Sequence, residues 1–186
     1  MTARETGSLL LVIGSLVFLA GAALGVPRVF TESDREKRLQ MLTERLTAWR
    51  AAQPLYALGP LVTAVGVGVI AAGTSDATVR TLLSVAAAAL WIGAMAWSWS
   101  VYLRGTRVAD FAFGRLPGWP FALYVLLTIG GLFLLGAGFL IDSVPAWIGW
   151  VTVAVNIVFL VAYVRFGDLP PFVFYLLLIL VGIAVR

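Results

Sequence analysis

The chain has 186 residues, 61% of them hydrophobic and 12% charged, with a net charge of +4 and a mean hydropathy of +1.00. A soluble domain carries about 25% charged residues, so half the usual solvated surface is missing and that class is excluded. Neither cysteine nor histidine occurs, which removes disulfides, thiolate nucleophiles, histidine-held metal or haem, and serine–histidine–aspartate chemistry.

Uncharged apolar runs long enough to span a bilayer fall at about 8–26, 55–73, 81–103, 119–141, 144–164 and 169–185. They predict an all-α polytopic membrane protein: six transmembrane helices forming a single domain over residues 1–186. The first run follows a seven-residue leader and has no small-residue cleavage site ahead of a soluble domain. It reads as a retained helix rather than a signal peptide.

The connection that follows is not a plain linker. In TESDREKRLQMLTERLTAWR, Leu39, Leu42, Leu46 and Trp49 recur at helical spacing, while Arg35, Lys37, Arg38, Glu44 and Arg45 occupy the other faces. Ser33 and Glu36 match a capping box, and Asp34 adds negative charge where the helix dipole favours it. An amphipathic helix over 33–50 is expected, lying along the inner leaflet or across the ends of the spans.

In the second run, Pro60 follows Gly59 and has no N–H for the carbonyl of Tyr56, which predicts a kink and a freed acceptor. The third run ends ALWIGAMAWSWSVYLRG. Trp97, Trp99, Tyr102 and Arg104 match the aromatic and basic belt at a membrane surface. Trp91 lies deeper, so its indole N–H needs an acceptor. Helical spacing puts Trp91, Met95, Ser98 and Tyr102 on one stripe, expected to face inward and wall a ligand pocket. In the fifth run Asn156 is the one carboxamide at mid-span; with Thr152 one turn away it is expected to bond across to another helix or to a ligand.

Small residues repeat every fourth position at Gly21–Gly25, Ala64–Gly68–Ala72 and Ala89–Gly93, a spacing that brings helix backbones close. FLAGAAL at 18–24 and FLLGAGF at 133–139 are each followed by Val-Pro, hinting at a 3+3 inverted repeat. All nine acidic residues fall outside the runs, which disfavours a proton-coupled pump.

Ten of the thirteen Lys and Arg residues sit in the connections 27–54, 104–118 and 165–168; only Arg4, Arg80 and Arg186 lie on the other side. The positive-inside rule then places those connections in the cytoplasm and both termini outside the cell membrane. Arg104, Arg107 and Arg115 form a basic rim for lipid headgroups. The reading is a non-enzymatic integral membrane protein without cofactor or metal. It acts as a complex subunit or a binding module for a small apolar ligand or lipid, whose site is Trp91, Met95, Ser98, Tyr102, Thr152 and Asn156. The alternative is a small transporter or channel with a midplane site near Pro60 and Asn156. Expected partners are the bilayer and a second copy or a membrane subunit, with no nucleic acid.

Overall fold

The computed structural model describes residues 1–142 and 144–186, and all regular structure among them is helical. The helices are α1 (Ala3–Leu24), α2 (Arg35–Glu44), α3 (Leu46–Ala72), α4 (Ala77–Thr106), α5 (Val108–Ala112), α6 (Trp119–Ile141), α7 (Ala146–Phe166) and α8 (Phe172–Ala184), with a 3-10 turn at Pro27–Phe30. α1, α3, α4, α6 and α7 are each long and apolar enough to cross a membrane.

α8 is apolar but has 13 residues, about 20 Å of helix against a hydrocarbon core of about 30 Å. The run expected at 169–185 therefore begins later as a helix, for a local reason. Gly167 takes a left-handed conformation (φ 68°) and gives its N–H to the Tyr163 carbonyl at 2.8 Å, ending α7. Pro170 and Pro171 follow. Proline fits only the first turn of a helix, and the residue before it avoids helical angles, so winding resumes at Phe172.

The amphipathic helix expected over 33–50 is also corrected. Asp34, not Ser33, is the cap: its carboxylate accepts from the N–H groups of Glu36 and Lys37 at 2.9 and 3.2 Å. The helix stops at Glu44, the backbone leaves helical angles at Arg45, and Leu46–Trp49 already belong to α3. The apolar stripe nevertheless serves one purpose across the break. Leu42 and Trp49 are fully buried, with Leu39 and Leu46 packed beside them, in a small core shared with Val26, Val29, Val108 and Ala112. The stripe thus docks on α5 and the 3-10 turn. Arg38 fastens the arrangement by donating to the carbonyls of Glu32 and Ala112.

Backbone proximity organises the bundle. α1 and α3 pack antiparallel through glycines seven residues apart, Gly7–Gly14–Gly21 against Gly59–Gly66–Gly73. A Cβ on Gly14 would stand 2.8 Å from the Gly59 carbonyl oxygen, and one on Gly66 would stand 2.9 Å from that of Gly7. No side chain fits, so the helices gain dispersion contact along their whole length. The four-residue series is met in part: a Cβ on Gly21 would stand 3.0 Å from Leu55 Cβ and one on Gly93 3.3 Å from Leu127 Cβ, whereas one on Gly68 would meet only Ala87 Cβ, at 3.9 Å. α4 lies on α3 and α6, α6 on α7 through Gly136 and Gly149, and α8 on α1 through Gly182. α7 meets α8 only slightly, whereas α3 and α4, its counterparts in a 3+3 repeat, pack extensively.

At the N-terminus, Thr2 and Glu5 form a reciprocal capping box, at 3.1 and 2.8 Å. Arg4 bridges to Asp142 at 2.6 Å and ties the start of α1 to the end of α6. The opposite end of the bundle carries α2, α5 and the 3-10 turn, and most of the arginines; it is called the basic end below.

Candidate functional site

Between the bundle and its basic-end cap lies a chamber of about 510 Å³. Its floor is aromatic. Phe18 from α1, Tyr56 from α3, Trp97 from α4 and Phe121 from α6 meet there, with Phe172 at the start of α8. The cap supplies Phe30, Thr31 and Phe111, and the Asp168–Pro171 connection closes one side.

Trp97 shows how the sequence builds the floor. Because Pro60 has no N–H, the Tyr56 carbonyl lacks its intrahelical donor. Trp97 Nε1 donates to that oxygen at 2.8 Å across the α3–α4 contact. The expected freed acceptor exists, and an indole fills it. Trp97 is 2% exposed, so it belongs to the interior and not to the surface belt. Its ring lies 4.8 Å from Tyr124, 6.0 Å from Phe121 and 6.2 Å from Tyr56. Phe18 stacks on Tyr175 at 3.9 Å, and the Tyr124 and Tyr175 hydroxyls meet at 2.9 Å beneath.

Arg104 is the cation of the chamber. Its guanidinium carbon stands 4.8 Å from the Trp97 ring, 5.4 Å from Phe111 and 5.8 Å from Phe121. Such contacts are worth about 2 kcal/mol when desolvated, but ring faces leave the N–H donors unused. Among the described residues no carboxylate is in ion-pair contact with it. Asp168 lines the same chamber and accepts from the Leu169 N–H at 2.8 Å. The Arg104 backbone carbonyl, at the end of α4, accepts from Trp49 Nε1 at 3.0 Å, and Trp49 stacks on Phe111 at 5.2 Å. The cap and the arginine are therefore positioned by the same tryptophan.

The residues singled out from sequence are dispersed. Trp91 is 44% exposed, and Met95 and Tyr102 are exposed too, so that stripe of α4 faces outward rather than toward the bundle interior. Ser98 is half-buried and donates to the Ala94 carbonyl; with Tyr102 it lines an outer groove instead. Trp99 and Tyr102 stack on one another at 5.6 Å on the exposed face, where a surface belt would place them.

Asn156 is 1% exposed but makes no bond to another helix: its Nδ2 donates to the Thr152 carbonyl at 2.7 Å, and its Oδ1 has no partner. Thr152 likewise donates within α7, to Ile148. Pro60 and Asn156 lie on α3 and α7, which are not a packed pair of the bundle, so the structure does not bring them together.

Of the expected rim, Arg107 pairs with Asp110 at 2.7 Å and Arg115 lies over Phe113 at 5.0 Å, both exposed. Arg104 alone turns inward. The chamber's Phe18, Phe30, Phe111 and Phe121 come from four separate segments. No spacing within one helix announces them. The usable signal was Pro60 with a tryptophan on the next helix to answer it.

No protein-family model, curated protein or solved structure matches the chain.

Proposed function

We propose that this chain is a non-enzymatic integral membrane protein that holds a small anionic amphiphile, a carboxylate or phosphate on an apolar body, in the aromatic chamber. One observation carries the reading: the Arg104 guanidinium lies over three rings with no described carboxylate in ion-pair contact, the Asp168 carboxylate of the same chamber acting on it only at longer range. A planar fork of N–H groups matches a two-oxygen anion, and the aromatic floor suits the apolar remainder. The volume is that of a small-molecule site.

The arginine distribution supports a cytoplasmic basic end in the cell membrane, with both termini outside. In this arrangement α8, together with the Gly167–Pro171 connection, completes a sixth crossing. The ligand enters from the inner leaflet at the level of Arg104.

Binding is tested on the purified protein with dodecanoate and dodecanol, which share a tail and differ in charge. Dodecanoate is expected to bind at least tenfold more tightly to the wild type, and Arg104→Gln to abolish that preference while leaving dodecanol unchanged. Equal affinity of the two probes for the wild type would overturn the reading.

A further inference from the structure

Arg104 is not the only polar group open to the chamber. Tyr56, on α3, is 8% exposed and lines it. The Tyr56 carbonyl is taken by Trp97, but its hydroxyl makes no hydrogen bond to a described residue, and it is not one of the enclosed polar atoms. The surface that this otherwise buried side chain keeps therefore belongs to the chamber. Tyr56 and Arg104 flank one indole: the Tyr56 ring lies 6.2 Å from that of Trp97, and the Arg104 guanidinium carbon 4.8 Å from it. The Arg104 charge acts on the phenol across this gap. A phenol donates one O–H and a guanidinium offers a planar fork of N–H groups, so one acceptor head meets two kinds of donor.

Asp168 sets the charge that the head can carry. Among the described residues lining the chamber, Arg104 and Asp168 are the charged ones. They are not in ion-pair contact, and Asp168 acts on Arg104 at longer range. The charges of the lining thus sum to zero. A singly charged head gains the direct Arg104 contact and meets Asp168 only at a distance. A second negative charge is drawn to Arg104 and pushed away by Asp168, which largely offset. Its desolvation grows with the square of the charge, and no further cation offsets it.

We propose that Tyr56 and Asp168 are specificity residues of the chamber and restrict its ligand to a singly charged head, a carboxylate or phosphodiester rather than a phosphate monoester. The proposal rests on the reading of the chamber as an anionic-amphiphile site. The Tyr56 hydroxyl donates to the head that Arg104 holds, and Asp168 excludes the second charge.

The test is equilibrium binding to the purified full chain in detergent at pH 8, with dodecanoate, dodecyl methyl phosphate and dodecyl phosphate as probes. The two phosphates share a tail and a phosphorus head and differ by one charge, because a monoester loses its second proton at about pH 6. Dodecyl methyl phosphate is expected to bind about tenfold more tightly than dodecyl phosphate. Asp168→Asn, at an exposed position whose amide oxygen can still accept from the Leu169 N–H, is expected to bring the two phosphates within about twofold of each other. Tyr56→Phe keeps the ring and the carbonyl that Trp97 uses. It is expected to weaken dodecanoate and dodecyl methyl phosphate about fivefold each, with the ligand-free thermal midpoint unchanged. Equal affinity of the two phosphates for the wild type, a preference for the diester that survives Asp168→Asn, or unchanged dodecanoate affinity in Tyr56→Phe would each overturn this proposal alone. Dodecanoate binding no more tightly than dodecanol would overturn it together with the reading on which it rests.

Discussion

Trp97 and Pro60 form a matched pair whose members lie 37 positions apart: one residue deletes a hydrogen bond and the other replaces it, with Trp97 Nε1 at 2.8 Å from the Tyr56 oxygen. Trp97→Phe leaves that buried oxygen without a donor and is expected to cost about 1–3 kcal/mol. Pro60→Ala returns an N–H to the helix. In that background the same Trp97→Phe change should cost less, and a double-mutant cycle read by denaturation in detergent measures the difference. Additive effects would show that the indole bond does not serve the proline.

Glycines make an equally local prediction. A Cβ at Gly59 would stand 2.6 Å from Phe18 Cβ and 2.8 Å from the Gly14 carbonyl oxygen, whereas one at Gly130 meets nothing within 4 Å. Gly59→Ala should destabilise by about 1–3 kcal/mol. Gly130→Ala should stabilise by roughly 0.5–1 kcal/mol through backbone entropy and helix propensity. Thermal midpoints of the two variants, measured together, check both signs.

Helices were the legible scale, and their faces were not. Five of the six apolar runs correspond to helices of spanning length, and the Leu39–Trp49 stripe found its core although the helix carrying it is broken at Arg45. On α4, however, the inward face is Ala86, Leu90, Gly93, Ala94 and Trp97, while Trp91, Ile92 and Met95 face out. In water the large apolar residues would be the buried ones. In hydrocarbon they have no reason to prefer the interior, and small residues win the contact because they let backbones approach. Assigning Trp91 to the inside and Trp97 to the surface applied the aqueous rule, or depth alone, to a helix governed by packing.

The cap remains a separate element with its own small core. Leu42→Ala removes its fully buried leucine at a cost of about 2–5 kcal/mol, enough to open a ten-residue helix locally. Hydrogen exchange at α2 amides is expected to accelerate at least tenfold, with α4 interior amides unchanged. Matching acceleration in α4 would mean that cap and bundle open as one unit.

At the scale of the whole molecule, the two ends of α3 are chemically different: exposed Arg35 lies near one and exposed Ser75 near the other. Because the chain has no cysteine, single cysteines report sidedness directly. Ser75→Cys is expected to react with an impermeant maleimide in intact cells, and Arg35→Cys only after the membrane is opened; the opposite pattern reverses the orientation.

Retention of an anionic amphiphile by Arg104 and its three rings is read by mass spectrometry of solvent extracts from the purified wild type and Arg104→Gln prepared side by side. One anionic species near one per chain is expected in the wild type, and its loss from the variant. Extracts that match each other and merely mirror the surrounding membrane lipid would contradict it.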